Sequence, residues 1–187
     1  AEDGAVHVAG SGTWLPLARA LGAAYRDARP EVRPVVVHPS IGSGGGRRAV
    51  EDGVVDLGFV SSTSAGGLGA TRCRAVPIAR AAVAVLAHRS VEEQSLSSRQ
   101  LEAIFGGELA RWPSGEPMVP LLREEGDSAT AVAAAAIDGL GDVIERSRAE
   151  DRFPVLLTDE DMGQALESTP GSVGLHDVGA LTLERRP

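Results

Sequence analysis

Residues 6–28 read VHVAGSGTWLPLARALGAAYRDA, in which a short apolar run ends in a Gly-Ser-Gly-Thr loop and passes directly into an amphipathic segment. The apolar run predicts a strand, and the following apolar positions share one face of a helix over Trp14–Ala28. The pattern returns at residues 35–52, where VVVHPSIGSGGG precedes a helix predicted to begin at about Arg47. Residues 54–60, VVDLGFV, predict a third strand. This alternation of strand and helix predicts an α/β fold with a parallel sheet.

Beyond residue 80, apolar runs and capping signals predict six further elements. They are a strand at 81–87, a helix opened by Ser97 or Ser98 and closed by Gly106-Gly107, a strand at 118–122 that delivers Arg123, an Ala-rich helix over 129–137, a helix over 159–167 capped by Thr158, and a strand at 172–175.

The composition of the chain excludes several kinds of chemistry. All 18 basic side chains among the 187 residues are arginine, and 26 acidic residues give a net charge of −8. Without lysine there is no Walker-type phosphate lysine and no pyridoxal Schiff base, and the negative charge argues against nucleic-acid binding. Cys73 is the single cysteine, the histidines lack metal-ligand spacing, and no Gly-x-Ser-x-Gly elbow is present. We therefore expect no metal, no cofactor and no enzyme activity.

Three loops rich in glycine, serine and threonine each separate a predicted strand from a predicted helix. They span residues 10–13, 42–46 and 126–130. A helix N-terminus presents unpaired N–H groups and partial positive charge, and glycine lets an anion approach the backbone. Helix capping explains any one of these loops. Three of them, one just after Arg123, favour a common site for a tetrahedral oxyanion, which a guanidinium group matches well.

The order of these motifs resembles the phosphate-binding proteins of bacterial phosphate ABC transporters, which are type II periplasmic solute-binding proteins. The motifs lie at residues 9–17, 40–46, 55–62, 96–108, 111–112, 122–130 and 171–175. The resemblance implies a two-lobed periplasmic-binding-protein-like α/β fold, in which each lobe has a mixed or parallel sheet flanked by helices and the ligand cleft lies between the lobes. Lobe 1 would comprise residues 1–80 and 173–187, and lobe 2 residues 81–172.

The resemblance also implies which residues contact the ligand. They are Ser11, Gly12, Thr13 and Trp14 in the first loop, Ser43 and Gly44 in the second, Ser61 and Ser62 after the third strand, and Arg123, Asp127, Ser128 and Thr130 in lobe 2. Ser61 falls where some family members place a carboxylate that accepts the proton of hydrogen phosphate. Asp127 is the alternative acceptor, or the acceptor is absent.

The function expected from the resemblance is capture of an oxyanion, inorganic phosphate first, for uptake by a membrane ABC permease. The chain would act as a monomer in the periplasm or another extracytoplasmic space, with a lipid anchor left open. Replacement of the carboxylate by Ser61 leaves sulfate, molybdate, arsenate or a small organic acid as alternatives. The short length leaves a sensor or accessory domain that works through protein contacts.

Overall fold

The computed structural model describes residues 4–61 and 73–179, which fall into two compact units. The first unit comprises Ala1–Ala81 with Gly179–Pro187, and the second comprises Ala82–Val178. The second unit thus extends to Val178, whereas the sequence analysis places this boundary at residue 172. The difference arises because, in the described part of the chain, the strand at Ser172–Asp177 pairs with strands of the second unit.

The first unit is a three-stranded parallel sheet with helices. Its elements are β1 (Val6–Gly10), a 3₁₀ helix (Gly12–Trp14), α1 (Leu15–Ala28), β2 (Val35–Ser40), α2 (Gly42–Glu51) and β3 (Leu57–Phe59). β1 lies in the centre and pairs in parallel with both neighbours, in the order β2-β1-β3. The α/β class predicted from the alternating pattern is confirmed.

Helix α2 begins five residues earlier than the sequence predicts, and Gly46 within it packs directly against the sheet. A Cβ atom on Gly46 would lie 2.6 Å from the Cα of Gly10, and one on Gly58 would lie 2.8 Å from the Gly46 carbonyl oxygen. Only glycine allows α2 to approach β1 and β3 this closely. The tertiary contact therefore overrides the low intrinsic helix propensity of glycine.

The second unit contains the remaining described elements. They are β4 (Val83–Ala87), α3 (Ser98–Phe105), β5 (Val119–Pro120), β6 (Leu122–Arg123), α4 (Ser128–Ala136), α5 (Leu140–Ala149), β7 (Val155–Leu156), α6 (Asp159–Ser168) and β8 (Ser172–Asp177). β8 pairs antiparallel with β4 and parallel with β5, and β6 pairs in parallel with β7. The sheets are therefore mixed, as the predicted fold class allows.

The core of the second unit forms around the fully buried strand β8. Helices α3, α4 and α5 contribute a cluster that includes Phe105, Leu140 and Ile144, all 1% exposed or less. Ser97, one of the two predicted caps, begins helix α3 through a capping box, while α5 and β7 were not predicted. Among residues 4–61 and 73–179, no helix is both long enough and apolar enough to cross a membrane.

Candidate functional site

The chain leaves β1 through a turn that only glycine permits. Gly10 has a φ of +141°, and a Cβ atom there would lie 2.0 Å from the carbonyl oxygen of Phe59 in β3. The next N–H, that of Ser11, donates to the same Phe59 oxygen at 2.9 Å. β1 therefore delivers Ser11 to a defined position beside the end of β3.

Three of the predicted contact residues meet there in what we call the serine cluster, Ser11, Ser43 and Ser61. The hydroxyls of Ser11 and Ser61 are 2.6 Å apart, and the backbone N–H of Ser61 donates to the hydroxyl oxygen of Ser43 at 3.1 Å. The Ser43 hydrogen and one hydrogen of the Ser11–Ser61 pair have no acceptor among the described residues. The cluster therefore offers two hydroxyl donors to a ligand.

Helix α2 starts at this cluster without a side-chain cap. Its N-cap residue is Ile41, which has no polar side chain, and Ser43 and Gly44 lie in the first turn. The N–H groups of a first turn have no partner within the helix, and the helix dipole places partial positive charge there. The Gly42 N–H donates to the hydroxyl oxygen of Ser40 at 3.5 Å, and the N–H groups that follow it have no partner within the helix. Together with the hydroxyl donors of the serine cluster, they form an arrangement suited to an anion.

The other predicted residues of the first unit lie in the short 3₁₀ helix after Ser11. Gly12 is half-buried and Thr13 is buried. Trp14 is half-buried, and its indole N–H has no hydrogen-bond partner among the described residues. Ser62, which was also predicted to contact ligand, lies outside the described residues.

In the second unit, Arg123 is a buried cation, and one of its guanidinium nitrogens has no hydrogen-bond partner among the described residues. Its side chain is 6% exposed, and its Nε donates to Oδ1 of Asp127 at 3.3 Å. Its Nη2 lies 3.8 Å from Oδ2 of Asp159. The third nitrogen, Nη1, is buried and has no hydrogen-bond partner in the described part of the chain. Because such a donor is costly to bury unmet, Nη1 is a candidate contact for a ligand acceptor.

Helix α4, in contrast to α2, is already capped by a carboxylate of the protein. Oδ2 of Asp127 accepts hydrogen bonds from the backbone N–H of Thr130 at 2.8 Å and from its hydroxyl at 2.9 Å. The polar hydrogens of Thr130 are therefore committed to Asp127. Ser128, the first residue of α4, is half-buried. Helix capping, which the sequence analysis gives as the alternative to anion binding for each loop, accounts for the start of α4.

Asp159 faces Arg123 but was not predicted as a site residue. It is the first residue of α6, directly after the Thr158 cap, and its side chain is 14% exposed. Burial raises the pKa of Asp159 above the ordinary aspartate value, with Asp127 and Asp177 adding to the rise while Arg123 and His176 oppose it. Within the described residues, the carboxylate oxygens of Asp159 accept no hydrogen bond.

The pairing of β6 with β7 explains why Asp159 lies near Arg123. Arg123 stands opposite Leu156 in this parallel pair, so the chain leaving β7 passes beside the chain leaving β6. If the sequence had predicted β7 and its pairing with β6, it would also have indicated that Asp159 lies near Arg123. The two-residue strand gives no pattern of alternation, and the segment was read only as a capped helix start.

Two buried polar residues of β8 complete this part of the second unit. The ring nitrogens of His176 lie 3.0 Å from the backbone oxygen of Asp177 and 3.2 Å from that of Asp159. Both His176 and Asp177 are 3% exposed. In residues 4–61 and 73–179, no group of three or more histidine, cysteine and acidic side chains could hold a metal ion.

Comparison with known proteins places the chain in a family. Residues 1–184 match the model of the PBP superfamily domain, so the chain belongs to that superfamily, and the resemblance seen in the motifs is confirmed at this level. The comparison with curated proteins finds no significant relative.

Solved structures share the fold at low sequence identity. A Clostridium perfringens protein described as a proposed phosphate ABC transporter substrate-binding protein with bound phosphate is 18% identical, with a TM-score of 0.79, over 93% of this chain and 70% of its own. An ABC-type phosphate transport receptor from Vibrio cholerae is 16% identical, with a TM-score of 0.57, over 94% and 72%. An ancestral arginine-binding protein bound to glutamine is 14% identical, with a TM-score of 0.54, over 98% and 75%. At these identities the likeness shows the fold alone, since proteins that share a fold differ in ligand.

Proposed function

We propose that this chain is a solute-binding domain whose ligand is a tetrahedral oxyanion, with inorganic phosphate preferred. The observation that carries the proposal is the unpartnered Nη1 of Arg123, a donor on a side chain that is 6% exposed. A guanidinium group presents several N–H donors in a planar fork, which matches the oxygens of a tetrahedral anion. An acceptor on a bound anion would satisfy the donor that the described protein groups leave unmet.

The first unit supports the same ligand chemistry independently. Its serine cluster offers two hydroxyl hydrogens at the start of α2, where the N-cap residue Ile41 has no polar side chain and the helix itself cannot satisfy the N–H groups of its first turn. None of these donors carries a full charge. They recognise an anion through short-range dipoles, which act strongly where water is excluded.

The net charge of −8 does not oppose anion binding. Exposed charges farther away than about 8–10 Å are largely screened at physiological ionic strength. Aligned N–H and hydroxyl dipoles in contact with the ligand are screened far less. The affinity for an anion therefore depends mainly on the charged groups beside Arg123, and the net charge of the whole chain has a smaller effect.

The structural neighbours support phosphate as the first ligand to test. Two of the three neighbours described above are phosphate transport proteins by their descriptions, while the third binds an amino acid. By the same reasoning we propose a membrane ABC permease as the partner and an extracytoplasmic location. Binding alone, without covalent chemistry, accounts for the residues found at both candidate contact regions.

Isothermal titration calorimetry with phosphate, arsenate, sulfate and molybdate tests the proposal. We expect phosphate to bind with a Kd well below about 1 mM, the affinity expected of a weak complex. Arg123→Ala should weaken binding, because it removes the unpartnered donor. Ser43→Ala should also weaken it, because it removes one hydroxyl donor of the serine cluster.

Matched variants separate loss of a contact from loss of charge or of a hydroxyl. Arg99→Ala removes the same charge from an exposed position of α3, and Ser168→Ala removes an exposed hydroxyl that bonds within α6. Both should bind like the wild type. If no oxyanion binds to the wild type below about 1 mM, the proposed function is wrong. If Arg123→Ala binds normally, the ligand is held elsewhere.

An anion other than phosphate is the alternative ligand, because Ser61 provides a hydroxyl group and no carboxylate. The serine cluster consists of hydroxyls, with no carboxylate to accept the proton of hydrogen phosphate. Sulfate and molybdate have no need of such an acceptor, and a small organic acid would meet the same donors. Binding of one of these in preference to phosphate in the same titrations would select this alternative.

A further inference from the structure

Two histidines connect neighbouring strands of the first unit. Nδ1 of His7 in β1 and Nε2 of His38 in β2 are 2.8 Å apart, and both side chains are half-buried. The ring planes are inclined to each other by 23°, and the ring centroids are 5.1 Å apart. At this distance one hydrogen must lie between the two nitrogens, because two lone pairs or two N–H groups would repel each other. The pair is therefore held together by a single bridging hydrogen.

This side-chain bond crosses a place where the backbone pairing of β1 and β2 is interrupted. The register of the two strands shifts between Val8 and Gly10, where one residue of β1 faces two of β2, His38 and Pro39. The extra residue of such a bulge has no partner in the ladder, and proline has no N–H to donate. The hydrogen bond between His7 and His38 therefore supports the strand pair where the backbone supports it least.

The strands that the two histidines join lead directly into the serine cluster. β1 reaches Ser11 four residues after His7, and β2 passes into α2 at Ser43, five residues after His38. The hydroxyl oxygen of Ser43 in turn accepts from the backbone N–H of Ser61. Because so few residues separate the histidines from the serines, a shift of β1 relative to β2 also moves the hydroxyls of the cluster relative to one another.

We propose that His7 and His38 are positioning residues of the serine cluster, and that their bridging hydrogen keeps β1 and β2 in the anion-binding arrangement until both imidazoles are protonated. This inference rests on the proposed function. A first added proton leaves the hydrogen bond intact and makes it charge-assisted. A second proton turns both facing nitrogens into donors, so that two N–H groups and two positive charges oppose each other across 2.8 Å. The pair must then open, which loosens the serine cluster and weakens its hold on the anion in acid.

The charges around the pair do not remove this conflict. The backbone N–H of His7 donates to Oδ2 of Asp56 at 2.8 Å, and the N–H of Asp56 donates to the His7 oxygen at 3.0 Å. Asp56 is thus held at the backbone of His7 and provides no acceptor between the two rings. The other charged groups on the surrounding elements are Arg33, which acts on Asp56, Arg19, Arg26 and Asp27 of α1, and Arg47, Arg48 and Glu51 of α2. The variants described below leave all of these groups unchanged.

NMR spectroscopy of the full chain without ligand tests whether the pair positions the serines. The bridging hydrogen should give one imidazole N–H signal that disappears as pH falls from about 8 to about 5, the range in which histidines in general gain protons. The backbone amide signals of Ser11 and Ser43 should shift over the same interval. His38→Gln offers His7 a partner at every pH, because an amide has both an acceptor oxygen and N–H donors. In this variant the signals of the two serines should change little.

Phosphate calorimetry over the same range tests the effect on binding. The affinity of the wild type is divided by that of His38→Gln at each pH, so that the titration of phosphate and of the other protein groups cancels. This ratio should fall by about five- to tenfold between about pH 8 and pH 5, and the reciprocal variant His7→Gln should give the same result. His88→Gln is the matched control, since it removes an imidazole of the second unit that bonds to Ser90. The ratio of the wild type to this control should not vary with pH.

The outcomes distinguish this inference from the proposed function. If the wild type binds phosphate and its ratio to both glutamine variants is independent of pH, the inference is wrong and the function stands. If neither variant folds, the wild-type NMR series decides, and amide signals of Ser11 and Ser43 that stay in place while the bridging signal disappears overturn the inference. Failure of the wild type to bind any oxyanion at neutral pH overturns the proposed function, and the NMR series still shows whether the pair positions the serines.

Discussion

Gly46→Ala tests whether the close packing of α2 against β1 is required for the first unit. The added Cβ would lie 2.6 Å from the Cα of Gly10 and 3.2 Å from the carbonyl oxygen of Phe59, whereas ordinary contact begins at 3.4 Å. The helix must therefore move by about 0.8 Å, or the backbone of β1 must yield. Neither contact atom belongs to a side chain that could rotate away.

The energetic expectation combines two opposing effects. Overpacking of this kind costs about 1–3 kcal/mol, while replacement of a helical glycine by alanine gains about 0.5–1 kcal/mol. We expect Gly46→Ala to lower the free energy of unfolding by about 1–2 kcal/mol. The same displacement would stretch the 3.1 Å hydrogen bond from Ser61 to Ser43 beyond hydrogen-bond range, so anion binding should weaken as well.

Gly44→Ala provides the control within the same helix. No atom lies within 4 Å of a Cβ placed on Gly44, so this variant should gain about 0.5–1 kcal/mol of stability from helix propensity alone. Urea unfolding followed by far-ultraviolet circular dichroism measures both variants, with the slope m checked for constancy. Opposite shifts of the two midpoints are expected. A Gly46→Ala midpoint equal to or above that of the wild type would refute the packing argument.

Three further predictions concern single residues. Arg123→Ala leaves two largely buried carboxylates without their cation and should cost about 3–5 kcal/mol in urea unfolding, while the exposed Arg99→Ala should cost nearly nothing. A hydrogen bond from the backbone N–H of His7 lowers the pKa of Asp56. This hydrogen bond therefore stabilises the fold at neutral pH, and the stabilisation is lost as pH falls through the lowered pKa. An NMR titration of the Asp56 carboxyl group should show a midpoint below the ordinary aspartate value. Ser97→Ala removes the N-cap of α3 and should lower the free energy of unfolding by about 1 kcal/mol, and a loss below a few tenths would contradict the capping role.

The parts of the fold that local chemistry determines were predicted well. The capping boxes at Ser97 and Thr158 mark the starts of α3 and α6, and Gly107, with a φ of +77°, follows the end of α3. These signals depend on neighbours within a few residues, so the sequence alone contains them. The alternation of strand and helix in the first unit is equally local, which is why its parallel sheet was also predicted.

The features that the sequence did not reveal depend on long-range packing. Helix α5 shows only Leu140 and Ile144 as buried apolar residues, and it follows Gly139 in a left-handed conformation, so its periodic signal is weak. The early start of α2 depends on contacts of Gly46 with another strand. The same limit applies to the candidate site, since Asp159 comes near Arg123 only through the pairing of two very short strands.

The position of β8 in its sheet has a consequence for how the protein is made. β8 lies between β4 and β5, and its partner β4 precedes it by about ninety residues, so the sheet has high contact order and should form slowly. At ordinary rates of translation, β4 waits roughly 5–20 s for β8 to be synthesised. During that interval the edges of β4 and β5 that β8 will cover stay unpaired, and an unpaired strand edge invites association with other chains. The second unit therefore has reason to depend on chaperones during synthesis, whereas the pairings of β1 with β2 and β3 span shorter stretches of chain and can form as soon as β3 has emerged.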